Sequence, residues 1–240
     1  MNRGRVGAMV AVTALMVGLG MTAVSIGADV PSVGTPKGSG ISVSPHNLNA
    51  FGVQVENQEV CRPCHTPHNA QTTLGPLWNH QVNTGATYKL YKTSSSYVGL
   101  DSSSKLCLSC HDGAIAVDNY GGKTTGTHFL SGSVAVGLNG DLSDDHPVGV
   151  KYPGTFSADG KTWTPSVSNG VPSTSFNDPT AALFGADGPN GGSGLRLATL
   201  PDGSKGIGCG TCHNPHVNSN GNFLRTSMQY SFLCLKCHNK

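Results

Sequence analysis

"CRPCHTPHN", residues 61–69, sets two cysteines three apart, a histidine directly behind the second, and another histidine three positions later. Cys61-x-x-Cys64-His65 is the spacing of a c-type haem attachment site. One helical turn presents both thiols on one side for thioether bonds to the haem vinyl groups, and the next residue reaches the iron. The pattern returns at Cys107-Cys110-His111 ("CLSCH"), Cys209-Cys212-His213 ("CGTCH") and Cys234-Cys237-His238 ("CLKCH"), and these copies use all 8 cysteines of the chain. A zinc site or a disulfide framework would account for paired cysteines. Neither accounts for a histidine directly after every pair. The reading is therefore four covalently bound haem c groups, with His65, His111, His213 and His238 as one iron ligand each.

The chain opens "MNRGR" and runs on through "VGAMVAVTALMVGLGMTAVSIGA", a basic start followed by an apolar stretch that ends in small residues. Residues 1–28 are expected to be a secretory signal peptide. Ser25-Ile26-Gly27 offers small residues ahead of a cut, and Ala28 is an alternative end. An uncleaved anchor is the competing reading, because the run is nearly long enough to span a bilayer. Export is expected, to the cell exterior or outer surface or, alternatively, the periplasm, with no membrane span after cleavage. Arg3 and Arg5 leave with the leader, which brings 15 basic residues down to parity with 13 acidic ones. Haem propionates would then make the loaded protein acidic, which argues against nucleic acid as a partner.

Only 12% of residues are charged and 6% aromatic, against 33 glycines. A chain this poor in large apolar side chains would by default be read as disordered. Porphyrins supply the missing apolar mass, so folding is expected to depend on the cofactor, as in small metal-built domains. The fold class expected is mostly irregular, with short helices at the haem motifs and one or two β-hairpins, all packed around four haems.

Residues 29–60 are expected to be an N-terminal arm, rich in Pro and Gly through "DVPSVGTPKGSG", ahead of a tetrahaem domain over 61–240. Within that domain the sequence repeats: "CRPCHTPHN" matches "CGTCHNPHV", and "KLCLSCH" matches "FLCLKCH". This divides it into a first haem pair (61–111), a haem-free insert with hairpins (112–208) and a second haem pair (209–240). In the insert, Asp159-Gly160 and Pro201-Asp202-Gly203 each sit between residues of strand character, as hairpin turns do. The second hairpin would deliver Cys209 to the third haem. Asp178-Pro179 before "TAALFG" has the form of a short helix start, and "GADGPNGGSG" reads as loop.

Each iron has a second axial position, filled in such proteins by His or Met. Met1, Met9, Met16 and Met21 go with the leader, leaving Met228, whereas His46, His68, His80, His128, His146 and His216 lie outside the motif positions. Histidines at i and i+3 of a helical turn share a face, about 4.5 Å apart along the axis, and cannot approach one iron from opposite sides. His68 is therefore expected to serve a neighbouring haem, most simply the second, and His216 the fourth. His146 in "DLSDDHPVG" is expected to be a ligand whose acidic neighbours orient the ring. His46 in "SPHN" can bind its own first haem or reach a haem in another molecule. His80 in "PLWNH", two residues after Trp78, competes with His46, and His128 in "GTHFL" reads as an ordinary loop histidine.

The segments "SPHN", "CRPCHTPHN", "PLWNH", "LCLSCHDG", "DDHPVG", "CGTCHNPH" and "LCLKCH" together resemble multihaem c-type cytochromes with doubled CXXCH repeats. Among these the chain looks like the tetrahaem extracellular cytochromes of the OmcE type, which polymerise into filaments. The resemblance implies bis-histidine ligation, alternating parallel and T-shaped haem pairs, and a histidine donated across the subunit boundary. The function expected is electron transfer to redox partner proteins or extracellular acceptors, as a conductive filament or, alternatively, a soluble shuttle. A reductase would need an iron with an exchangeable position, and enough histidines exist here to close every site, so no enzymatic activity is expected.

Overall fold

The computed structural model describes residues 24–26, 40–71, 74–75, 77–91, 96–180 and 194–240. Regular structure is sparse, as the composition requires. The helices are α1 (Ser102–His111), α2 (Cys209–Cys212) and α3 (Phe232–Cys237), and each ends within or at a Cys-x-x-Cys-His motif. The remaining motif, at Cys61, is a turn rather than a helix. It nevertheless closes on itself, since the His65 N–H donates to the Cys61 carbonyl at 2.9 Å. The corresponding bonds to the first cysteine, from His213 at 3.1 Å and His238 at 2.9 Å, make one local geometry of three motifs.

Most strands are two residues long. Val24–Ile26 (β1), inside the expected leader, pairs in parallel with His128–Leu130 (β2). Val150–Lys151 (β3), Ala198–Thr199 (β8) and Lys205–Ile207 (β9) make an antiparallel sheet in the order β3-β9-β8. The hairpin read at Asp159-Gly160 joins Thr155–Phe156 (β4) to Trp163–Thr164 (β5), and Gly160 takes φ +70°, the left-handed region that glycine enters without steric cost. The hairpin read at Asp202-Gly203 joins β8 to β9, and β9 runs directly into Gly208 and Cys209, so that turn does deliver the third motif. A third small hairpin pairs Val167–Ser168 (β6) with Val171–Pro172 (β7). The helix expected after Asp178-Pro179 and the glycine-rich loop behind it fall largely on residues 181–193, outside those described.

Among the described residues, buried apolar side chains gather into two small clusters. Tyr152, Leu195 and Ile207 gather Phe156, Trp163, Phe176 and Leu233, tying the β-sheet to α3. Leu100, Leu108 and Leu142 form the other, beneath α1. The arm is packed from Ile41 onward rather than loose: two 3-10 turns lead to the buried Val53 and Val55, and a third follows them. Among the described residues no helix is long and apolar enough to cross a membrane.

Candidate haem-binding centres

Helix α1 shows how the sequence builds a motif platform. Asp101 caps it, its carboxylate accepting from the N–H groups of Ser103 (3.1 Å) and Ser104 (3.2 Å) and from both serine hydroxyls. A side-chain acceptor at this position satisfies amides that have no partner within the helix. Ser104 is fully buried and its hydroxyl in turn accepts from the Cys209 N–H at 2.9 Å. The cap of the second motif thereby holds the start of the third. Gly208 makes that approach possible, because a Cβ there would lie 2.2 Å from an Asp101 carboxylate oxygen. Thr211 inside the third motif ties its own turn, its hydroxyl accepting from the Gly208 N–H at 3.0 Å.

None of the eight cysteines is paired in a disulfide. Their electrostatics show how close the motifs lie. Burial, then the thiol of Cys61, pushes Cys64 up to about 11, and burial, then Cys209 and Cys234, does the same to Cys212. Cys107 hydrogen-bonds Cys209, keeping its own proton and favouring the thiolate of Cys209. Burial and then Cys64 push Cys110 well above its ordinary value, and Cys237 is raised to about 12 by burial and by Cys212 and Cys234. Attachment edges of successive motifs therefore adjoin: first to second, second to third, third to fourth.

Three histidine pairs face one another. The ring centroids of His65 and His216 are 6.1 Å apart, those of His46 and His111 6.2 Å, and those of His146 and His238 6.5 Å. Two imidazoles bonded at about 2 Å to opposite sides of one metal ion would put their centroids roughly 6–6.5 Å apart. The spacing fits an iron between each pair. His111 Nδ1 lies 2.6 Å from the Val134 carbonyl, His213 Nδ1 2.8 Å from that of Asn222 and His146 Nδ1 3.1 Å from that of Pro147. In each, Nδ1–H donates to the carbonyl, which fixes the tautomer and leaves the Nε2 lone pair for a metal. The acidic neighbours expected to orient His146 do not carry out that task; Pro147 does. His46 stacks on Phe223 at 4.2 Å, and burial, then the nearby His111, lowers it to about 4, so it stays neutral as a ligand must.

These placements revise the expected pairings. His216 faces the first motif rather than the fourth, because the third motif folds back on the first. His46 faces the second motif, in its own chain. His68 is exposed, with no motif ring opposite it among the described residues, and His213 is likewise exposed. His80 is 1% exposed, and its two ring nitrogens lie 2.7 Å from the Gln81 carbonyl and 3.0 Å from that of Ala116, so neither is turned to a motif histidine. His128 is held in β2 beside Asp118, at 3.5 Å.

Residues 203–240, which hold the third and fourth motifs, match the family model described as a doubled CXXCH motif. The match supports a c-type cytochrome-like, haem-binding protein. The comparison with curated proteins gives no match. Of the residues that build the centres, Asp101 and Ser104 had a signal in "DSSSKLCLSCH", an acidic and serine-rich run just ahead of a helix. Phe223, buried at φ +55° behind His46, had none, since it meets its partner from 177 positions away.

Proposed function

We propose that this chain is an exported tetrahaem electron-transfer protein whose irons are each closed by two imidazoles. The observation that carries the reading is the set of facing pairs His65/His216, His46/His111 and His146/His238 at 6.1–6.5 Å. For the third motif the ligand proposed opposite His213 is His68. The first and third motifs are related by the sequence repeat, and if His216 crosses to the first, His68 crosses to the third. Haem c supplies a one-electron ferric–ferrous couple. The chain's own part is to hold the imidazoles, leave no coordination position for a substrate, and set the attachment edges side by side. A reductase is disfavoured by that closure.

The assembly proposed is an extracellular filament of this chain. His46 lies upstream of every motif and is joined to the first through residues 47–60, and its contact with the second motif can be exchanged for that of a neighbouring copy's arm, which is the logic of domain swapping. Absorption and magnetic-resonance spectra of the matured protein test the ligation: all centres are expected to be six-coordinate and low-spin, and a high-spin centre or rapid carbon monoxide binding by the ferrous protein would overturn it. Electron microscopy of the secreted protein tests assembly. Discrete monomers at high concentration, with a His46→Ala variant that leaves the haem spectra unchanged, would reject the exchanged arm.

A further inference from the structure

His80 is unlike the other histidines in what surrounds it. It is 1% exposed, clamped between the Gln81 carbonyl at 2.7 Å and the Ala116 carbonyl at 3.0 Å, with the Ser109 hydroxyl 3.3 Å from Nδ1. These partners come from three separate segments, one of them α1. Its Nε2 lies 3.4 Å from the sulfur of Cys110, the second attachment cysteine of the second motif. On the other side its ring meets Trp78 edge-on at 6.4 Å, and Trp78 meets His65, the proximal ligand of the first motif, edge-on at 6.2 Å. A continuous contact thus runs from the first motif's iron ligand, through Trp78 and His80, to the second motif's thioether sulfur.

We infer that His80 is a positioning residue for the second haem, fixing the Cys110 attachment edge against Trp78 and holding a polar nitrogen on its sulfur. This rests on the reading that the second motif carries haem c. The physical effect follows from charge. A ferric bis-imidazole centre carries one more positive charge than the ferrous one, so a fixed dipole beside it moves the potential, upward where an N–H faces the centre and downward where a lone pair does, and an apolar replacement removes that displacement. His80 contributes to the second haem's potential without ever touching the iron.

Two amide replacements separate this from plain structural filling. His80→Gln can keep a nitrogen near the Nε2 position, whereas His80→Asn can keep only the Nδ1 contact to Gln81. Redox titration of the holoproteins, with haem signals followed one by one, is expected to show His80→Gln near wild type. His80→Asn and His80→Phe are expected to shift one haem in potential and leave the others in place. Equal potentials in Gln, Asn and wild-type proteins would overturn the inference, as would equal displacement of every haem in both amide variants. Peptide mass across Cys107–His111 of the wild-type protein is measured alongside. A peptide without haem would overturn the haem reading of that motif, while a loaded peptide with unmoved potentials would overturn the role of His80 alone.

Discussion

A histidine can close an iron only with a bare ring nitrogen, and the hydrogen bonds at Nδ1 sort the histidines of this chain on that basis. His111 and His146 spend Nδ1 on a backbone carbonyl and each faces another imidazole, whereas His80 has a carbonyl at both nitrogens. His216→Ala is therefore expected to open one centre, read as carbon monoxide binding to a single ferrous haem, with His65 still holding it. His146→Ala is expected to open a different one, and His128→Ala none. The sequence named the ligand candidates by counting, because only Met228 remained among the methionines once the leader was set aside. It could not pair them, since pairing depends on the third motif folding back to the first, and no local pattern encodes that return. Asp118 makes a separate case at this scale. Burial opposes its ionisation, but Lys123 at 2.6 Å and the N–H groups of Thr127 and His128, each at 3.0 Å, hold its carboxyl below the ordinary 3.8. Its contribution is complete above that unfolded value and is lost as pH falls through the lower folded one. Asp118→Ala is expected to cost about 1–3 kcal/mol, measured by denaturant unfolding at neutral pH, and the difference from wild type should shrink on acidification below about 4.

At the scale of elements, short pieces of structure are joined by polar contacts at their ends rather than by faces of side chains. Helix α1 has ten residues and α2 only four, so neither has the length to be stable alone. Asp101 ties the first turn of α1, Ser104 passes the tie to Cys209, and Gly208 lets α2 come close enough to receive it. Gly208→Ala is expected to force α2 away from α1, because the added carbon meets carboxylate and hydroxyl oxygens rather than the yielding end of a long chain. The measurable result is altered coupling between the second and third centres, with helix α3 and its spectrum unaffected. Asp101→Ala is expected to lower stability by about 1–2 kcal/mol in denaturant titration of the loaded protein. Two of the three hairpins described in the insert were legible because aspartate-glycine turns carry their own conformational demand. The first motif's lack of a helix was not, and its companion segment explains it: Thr66 N–H bonds the Leu77 carbonyl and Asn79 N–H the Cys64 carbonyl, both at 2.9 Å, drawing the turn into an irregular bridge.

For the molecule as a whole, the two apolar clusters are too small to organise a chain of this length. One has three buried residues and the other three, and they lie beneath only parts of the sheet and α1. Large apolar side chains elsewhere remain on the surface, including Met228, Tyr230, Phe232 and Leu235 around the fourth motif and Val136 and Leu138 near the second. In an ordinary domain such exposure would be a liability. Beside attachment sites, a bound porphyrin laid against those residues would remove from water the surface they present. Ordering the backbone costs about 1–2 kcal/mol per residue, and the protein-only clusters offset little of that. The expectation is that a chain with all eight cysteines replaced by alanine is exported but fails to fold. Circular dichroism and hydrogen exchange would show no protected core and no cooperative transition. Restoring the third and fourth motifs alone should recover protection in the segment around α2, α3 and the β3-β9-β8 sheet, which share Ile207, Tyr152 and Leu233 in one cluster, while α1 and the arm stay open. A haem-free chain that unfolds cooperatively would show instead that the polypeptide carries its own core, and the cofactor would then be a passenger on the fold rather than part of its interior.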